Sequence, residues 1–194
     1  MNQYFENSNL ESEIRENCIK VNDTNFFMYT DNGVFNKKGL DFGTRTLLEN
    51  INISNKRSFL DVGCGCGPIG FYILLNDKNA VVDMIDVNNR AIKLTKMGLK
   101  KNKIQANVYN SDAYQNVNDK YDMIVTNPPI HCGKDKVYEI IRGSINHLNK
   151  DGELWIVIRK DQGAKSLIND NSDIYNFEII DRNKGFWIIK GLKK

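Results

Sequence analysis

Two segments of this chain carry residues whose types and spacing could do chemistry. The first is Asp61-Val-Gly-Cys-Gly-Cys-Gly-Pro-Ile-Gly70. Gly63, Gly65 and Gly67 have no Cβ and can take positive φ, so a ligand can lie directly on the backbone there. Asp86 ends the next apolar run, Ala80–Asp86, where its carboxylate can accept hydrogen bonds from ribose hydroxyls. Gly65-Cys-Gly-Pro-Ile-Gly70 also satisfies the G-x-G-x-x-G dinucleotide pattern. Both NAD and S-adenosylmethionine contain adenosine, so the loop alone leaves the two open. Asp61 tilts the choice. A carboxylate just before the glycines can hold the ammonium of a methionine moiety, but is badly placed beside a pyrophosphate. Further on, Asp112 in Ser111-Asp112-Ala113 is a candidate acceptor for an adenine amino group.

The second segment is Asn127-Pro128-Pro129-Ile130, directly after the apolar run Tyr121–Thr126. Two consecutive prolines fix φ twice and restrict the residues before them to extended geometry. The peptide is therefore rigid, and it presents the Asn127 side-chain oxygen and the Pro128 carbonyl as two acceptors. Such a pair suits a planar exocyclic amine: it binds the amine hydrogens and aims the nitrogen lone pair at an electrophilic methyl. Alignment supplies most of the rate in such a reaction, with an electrostatic contribution from the hydrogen bonds. No strong general base is required, because the amine can lose its proton after transfer.

These loops need elements to hold them. Ser58–Val62, Ala80–Asp86, Ala106–Tyr109, Tyr121–Thr126 and Glu153–Ile158 read as strands. Between them Pro68–Leu75, Asn88–Lys101 and Lys136–Leu148 read as helices, with Gln162–Asn169 following the last strand. Pro68 stands in a first helical turn, where a missing N–H costs nothing. Strands alternating with helices of this length predict a parallel sheet covered on both faces, hence a doubly wound α/β fold. Asn176–Asp181 and Gly185–Lys190 read as a closing hairpin around Arg182-Asn183-Lys184. Residues 1–52 form an N-terminal extension with β-prone runs Asn17–Val21 and Thr24–Thr30 about an Asn22-Asp23 turn. A helix from an Asp41 cap to about Asn52 follows. The reading is one domain over residues 1–194, with residues 53–194 as its core.

Size and composition agree. The chain has 194 residues, 41% hydrophobic and 26% charged, ordinary for a globular protein. No apolar run approaches the ~20 residues of a membrane span. Met1–Glu16 is polar and acidic, unlike a secretory signal, so a cytoplasmic location is expected. A net charge of +3 and a pI of about 8.6 permit a nucleic-acid partner without demanding one. Cys18, Cys64, Cys66 and Cys132 lack zinc-site spacing, and there are only two histidines. The expectation is no metal, and reduced thiols packed as small apolar groups.

Taken together, these residues resemble class I S-adenosylmethionine methyltransferases, and more closely a small-domain family that includes bacterial 16S ribosomal RNA guanine-N2 methyltransferases. The likeness rests on Gly33-Val-Phe35, Leu40-Asp-Phe-Gly-Thr44, Asp61–Gly70, Asp86-Val-Asn88 and Asn127–Lys134. Glu153-Leu-Trp-Ile-Val157, Lys160-Asp-Gln-Gly-Ala164 and Lys184-Gly-Phe186 complete it. The resemblance implies a Rossmann-like seven-stranded sheet of order 3-2-1-4-5-7-6 with strand 7 antiparallel. It implies cofactor contacts at Asp61, Gly63, Cys64, Gly65, Gly67, Asp86, Val87, Asp112, Ala113 and Asn127. Phe35 and Thr44 would lie over the cofactor or base pocket. Catalysis would fall to Asn127, Pro128, Pro129 and Ile130. One departure stands out. Many base-amino methyltransferases follow N-P-P with Tyr or Phe, which stacks on the flipped base, whereas Ile130 offers only apolar contact. Phe35 and His131 are the candidates for the missing face. Lys134, Lys136, Arg159 and Lys160 are expected around the same rim, meeting RNA phosphates.

The expected function is thus methyl transfer to guanine N2 of ribosomal RNA by a monomer. The alternatives are an adenine-N6 or protein-glutamine methyltransferase, a non-enzymatic RNA-binding or ribosome-assembly protein, and a dinucleotide oxidoreductase. In the last, N-P-P would have no task.

Overall fold

The computed structural model describes residues 10–194. Residues 1–9 of the polar N-terminal run lie outside the described residues. The chain opens with an antiparallel hairpin, β1 (Arg15–Val21) and β2 (Thr24–Thr30), turning on Asn22 at φ +50°. Helix α1 (Phe42–Asn50) follows. The Asp41 side chain caps it by accepting from the Thr44 amide at 2.9 Å.

The core then alternates as β3 (Ser58–Val62), α2 (Pro68–Asn76), β4 (Val81–Asp86), α3 (Asn89–Asn102), β5 (Asn107–Asn110) and β6 (Tyr121–Thr126). It continues as α4 (Lys134–His147), β7 (Leu148–Arg159), α5 (Ala164–Asp170), β8 (Tyr175–Asn183) and β9 (Phe186–Lys193). The seven core strands form one sheet in the order β5-β4-β3-β6-β7-β9-β8. Counted from β3, that is 3-2-1-4-5-7-6, with β9 antiparallel to both neighbours. The sheet is doubly wound, as the alternation requires.

Strand residues serve two faces alternately. Phe59, Met84, Met123, Val125, Trp155 and Val157 pack with the helices α1 to α3. Leu60, Val62, Ile85, Ile124, Leu154 and Ile156 pack with α4 and α5. Both faces are covered, which is why these strands are nearly continuous apolar runs in sequence. The β1–β2 hairpin packs on the first face. Phe26 meets Phe71 edge-on at 6.2 Å. The Asn102 side chain takes the place of a strand edge, accepting from the Phe27 amide at 2.8 Å and donating to its carbonyl at 2.7 Å.

Most boundaries shift by one or two residues from the sequence reading, and three of the differences have identifiable reasons. Strand β7 begins at Leu148 rather than Glu153, because Leu148 pairs with Tyr121 before a register shift. Residues between these pairings bulge, and a Cβ on Gly152 would sit 3.0 Å from the Leu148 side chain. The closing hairpin turns on Lys184-Gly185, not Arg182–Lys184. Both residues have positive φ (+45° and +85°), the requirement of a two-residue primed turn that fits the twist of paired strands. Helix α5 starts at Ala164 rather than Gln162, after a single 3₁₀ turn over Lys160–Gln162 and a break at Gly163.

Candidate active site at the switch point of the sheet

Strands β3 and β6 are parallel neighbours at the point where strand order reverses, with Val62 beside Thr126. The Thr126 hydroxyl donates to the Val62 carbonyl at 2.8 Å. The glycine loop leaving β3 and the Asn127 loop leaving β6 therefore start at one level, side by side. A crevice outside strand carboxyl ends at such a point is where open α/β sheets bind ligands. Here it is a cavity of about 380 Å3, within the range of small-molecule sites.

The glycine loop forms its floor. Gly63 and Gly65 lie at φ +71° and +56°, and a Cβ built on either meets nothing within 4 Å. The space in front of them is open, a cradle that side chains would fill. The Gly63 and Cys64 amides both donate to the Ile85 carbonyl at 2.9 Å, tying the loop to β4. The Gly65 amide donates to Asp86 Oδ2 at 2.8 Å, and Thr95 donates to the Gly65 carbonyl at 2.8 Å. Gly67 has another task. It caps α2 at φ +87°, and a Cβ there would lie 2.6 Å from the Phe71 ring. It shapes the turn and does not line the cavity.

Asp61, the penultimate residue of β3, does not itself line the cavity but lies buried just before the glycine loop. Its Oδ2 accepts from the Gly70 amide at 3.3 Å in the first turn of α2. Its Oδ1 is buried without a hydrogen-bond partner. Burial pushes its carboxyl up to about 8, opposed by the Gly70 bond and helped by the charge of Asp86. An orphaned carboxylate oxygen beside a glycine cradle suits a cationic group held there. Asp86 lines the wall, accepting from Gly65 through one oxygen and from the Asn88 amide at 2.8 Å through the other. Burial raises its carboxyl as well. The Val87 amide also donates to this carboxylate, and the roughly four lone-pair sites of its two oxygens leave one for a hydroxyl. Val87 stands beside it, more than a third exposed.

On the wall below β5, Asp112 Oδ1 already takes the Lys136 ammonium at 2.6 Å, and Lys136 also reaches Glu139 at 2.7 Å. Ala113 sits at φ +46°, unusual for a residue with a Cβ. Ser111 holds this turn, donating to the Ala113 carbonyl at 2.8 Å and accepting from the Asn116 amide at 3.1 Å.

Asn127 lines the same cavity as Gly63 and Gly65. Its side-chain nitrogen donates to Thr44 Oγ at 3.0 Å and, at 3.4 Å, to the same Asp41 oxygen that caps α1. Asp41 Oδ2 accepts from Asn36 at 2.7 Å. With its nitrogen committed to these acceptors, the Asn127 amide turns its oxygen the other way. The Pro128 carbonyl accepts from the Ile130 amide at 2.9 Å, around a Pro129 at φ −75°, ψ 79°. This is an inverse γ-turn. It fixes the carbonyl direction and leaves one lone pair for a ligand.

The remaining candidates divide. Phe35, Ile130, His131 and Arg159 line the cavity with Lys136. Lys134 and Lys160 do not. Lys134 pairs with Asp170 at 2.9 Å, over the Tyr138 ring, and Arg159 pairs with Asp161 at 2.9 Å. Three of the four rim cations thus already have acidic partners. Cys64 and Cys66 are buried, with burial pushing Cys66 up to about 12, whereas Cys18 is exposed and Cys132 partly so. The expectation of four packed thiols holds for two. Sequence reasoning did not single out Asp41, Phe42 or Phe186 as site residues, although all line the cavity. They stand far from both motifs in sequence, and only packing brings them in.

Among the described residues no group of three or more His, Cys, Asp or Glu is placed to hold a metal ion. No described helix is long and apolar enough to cross a membrane. The chain is 37% identical over 195 residues to a Bacillus subtilis protein named YbxB, itself uncharacterized, covering 98% of this chain and 97% of that one. It is 39% identical over 137 residues to ribosomal RNA small subunit methyltransferase C of Haemophilus influenzae, covering 69% of this chain but 42% of that protein. The chain thus spans less than half the length of that relative. In fold it is similar to the T. thermophilus 16S rRNA N2 G1207 methyltransferase solved with AdoMet and guanosine. The TM-score is 0.82 at 20% identity, over 96% of this chain and 52% of that one. Residues 25–190 match the methyltransferase small domain family. With the cradle, the acid pair and the rigid Asn127 loop meeting at one switch point, the chain belongs to that family, whose members are S-adenosylmethionine-dependent methyltransferases.

Proposed function

We propose that this protein methylates the exocyclic N2 of a guanine in small-subunit ribosomal RNA. The observation that carries this reading is the Asn127 amide, oriented by Thr44 and Asp41 so that its oxygen is left to accept, in the same cavity as the glycine cradle. The similarity to ribosomal RNA small subunit methyltransferase C supports RNA as the substrate class.

When bound, S-adenosylmethionine supplies a methyl group on a cationic sulfur. The Gly63–Gly65 backbone would seat it, with Asp61 near the ammonium and Asp86 at the ribose. Asp112 and Ala113 would border the adenine. Asn127 Oδ1 and the Pro128 carbonyl would each accept one hydrogen of the target amine. Held this way, the amine lies in one plane and its lone pair points across the cavity. Orientation of this kind contributes several kcal/mol toward the barrier. As the nitrogen–methyl bond forms, the methyl–sulfur bond would break to leave a neutral thioether, and the positive charge passed to the nitrogen would be stabilised by the two oxygens. The surplus proton then passes to water, so no strong base is needed.

The test is incorporation of labelled methyl into 16S RNA from a strain lacking the gene, with the product nucleoside identified by mass spectrometry. N2-methylguanosine lost in Asn127→Ala is the expected result. N6-methyladenosine instead would transfer the same geometry to another exocyclic amine. No transfer to any RNA would overturn the proposal.

A further inference from the structure

Ile130 leaves the substrate end of the cavity without the aromatic residue that commonly follows N-P-P, and the fold supplies one from a distant segment. Phe186, the first residue of β9, lines the cavity. Its ring rests on Gly43, where a Cβ would come within 2.7 Å of the ring, and that same Cβ would lie 3.1 Å from the Asp41 oxygen that accepts from Asn127. Phe186 is thus anchored to the same turn that orients Asn127. Phe42 tilts against it with ring centroids 5.8 Å apart. Both rings are partly exposed.

Cations flank the two rings. The Arg159 guanidinium lies 5.5 Å from the Phe186 centroid, and Lys184 Nζ lies 4.9 Å from the Phe42 centroid. Lys160 joins this corner because its amide donates to the Gly185 carbonyl at 2.8 Å, next to Lys184. Arg159 is neutralised by Asp161. Lys160 and Lys184 are exposed and form no ion pair among the described residues. Their positive charge is available, unlike that of Lys134 and Lys136. Partly exposed rings interleaved with unneutralised cations at a cavity mouth match the way proteins hold single-stranded nucleic acid. Bases stack on the rings and phosphates meet the cations.

We propose that the corner joining the end of β7 to the β8–β9 turn is the landing site of the RNA strand that delivers the target base. Phe186 packs against a base at the cavity mouth, and Lys160 and Lys184 hold phosphates of adjoining nucleotides. This rests on the reading that the substrate is RNA, and it goes further by assigning the surface and the residues.

The test reads RNA binding apart from catalysis. Affinity of a fluorescent single-stranded RNA oligonucleotide of mixed sequence is measured by anisotropy over a range of salt. Removing one cation from a phosphate lowers the slope of log affinity against log salt by about 0.7 for single strands. The double variant Lys160→Ala/Lys184→Ala should therefore lower it by roughly 1.4. S-adenosylmethionine binding by calorimetry should stay unchanged. A charge-matched control, Lys78→Ala/Lys120→Ala, removes two cations from the opposite end of the strands and should leave the slope alone. Phe186→Leu should weaken RNA binding roughly 10-fold at one salt concentration without altering the slope, and Phe186→Trp should restore it. An unchanged slope in Lys160→Ala/Lys184→Ala, an equal fall in the control, or full RNA affinity in Phe186→Leu each overturns the assignment while leaving RNA as substrate intact. No RNA binding by the wild type overturns both.

Discussion

Asp61 offers the sharpest test of how the cradle is built. Its carboxyl is fully buried and pushed up to about 8, chiefly by burial. In the unfolded chain the same group titrates at about 3.9. At intermediate pH the native state therefore holds a proton that the unfolded state has lost. Because the unfolded state binds fewer protons there, stability contributed by this site is present at acid pH. It falls as pH rises from about 4, and the loss is complete above about 8. The slope is about 1.4 kcal/mol per pH unit. Between pH ~5 and ~7.5 the loss amounts to roughly 3 kcal/mol, or a Tm change of about 6–12 °C for a chain of this size. Asp86 titrates in the same direction, so the informative quantity is the difference between wild type and Asp61→Asn. The amide is isosteric, keeps an acceptor for Gly70, and cannot ionise. Thermal unfolding by circular dichroism across this pH range should show the wild type losing ground steadily to Asp61→Asn. With S-adenosylmethionine present the gap should shrink, because a cation near Asp61 favours the charged form. Its binding near pH 7 should then release close to one proton in the wild type and fewer in the variant, read by calorimetry in buffers of different ionisation enthalpy. Parallel stability curves for the two proteins would refute the argument that Asp61 is held protonated beside the loop.

Other consequences follow from the same geometry. Asn127→Ala should lower kcat for methyl transfer by ~100-fold or more while leaving S-adenosylmethionine binding measurable in calorimetry. Thr44→Val removes the acceptor at 3.0 Å that orients Asn127. It should lower kcat roughly 10-fold with little change in RNA KM, and Thr44→Ser should recover most of the activity. Gly67→Ala places a Cβ at φ +87° and 2.6 Å from the Phe71 ring, so denaturant titration should show a destabilisation of about 2–4 kcal/mol. In a thiol-labelling time course of the folded protein, Cys18 should react first. Cys64 and Cys66 should wait for unfolding, since burial keeps both as thiols.

Much was legible in the sequence because the physics behind it is local. The alternation of short apolar runs with amphipathic helices specified a doubly wound sheet, since strands buried on both faces must be apolar throughout. Gly63 and Gly65 announced a backbone cradle because only residues without a Cβ leave that space open. Pro128 and Pro129 announced a stiff loop because proline fixes its own φ. Where the Asp61 carboxylate points, and which cations remain unneutralised, depended on partners far along the chain. Lys134 and Lys136 are bare cations in the sequence, and only the fold shows that Asp170, Asp112 and Glu139 stand beside them. The two acceptors that orient Asn127 come from the first turn of α1, more than 80 residues earlier. The aromatic plate beside that turn comes from β9, at the other end of the chain. Such contacts form only when β3, β6, β7 and β9 lie side by side, and strand order is decided by the burial of both sheet faces at once rather than by any one segment.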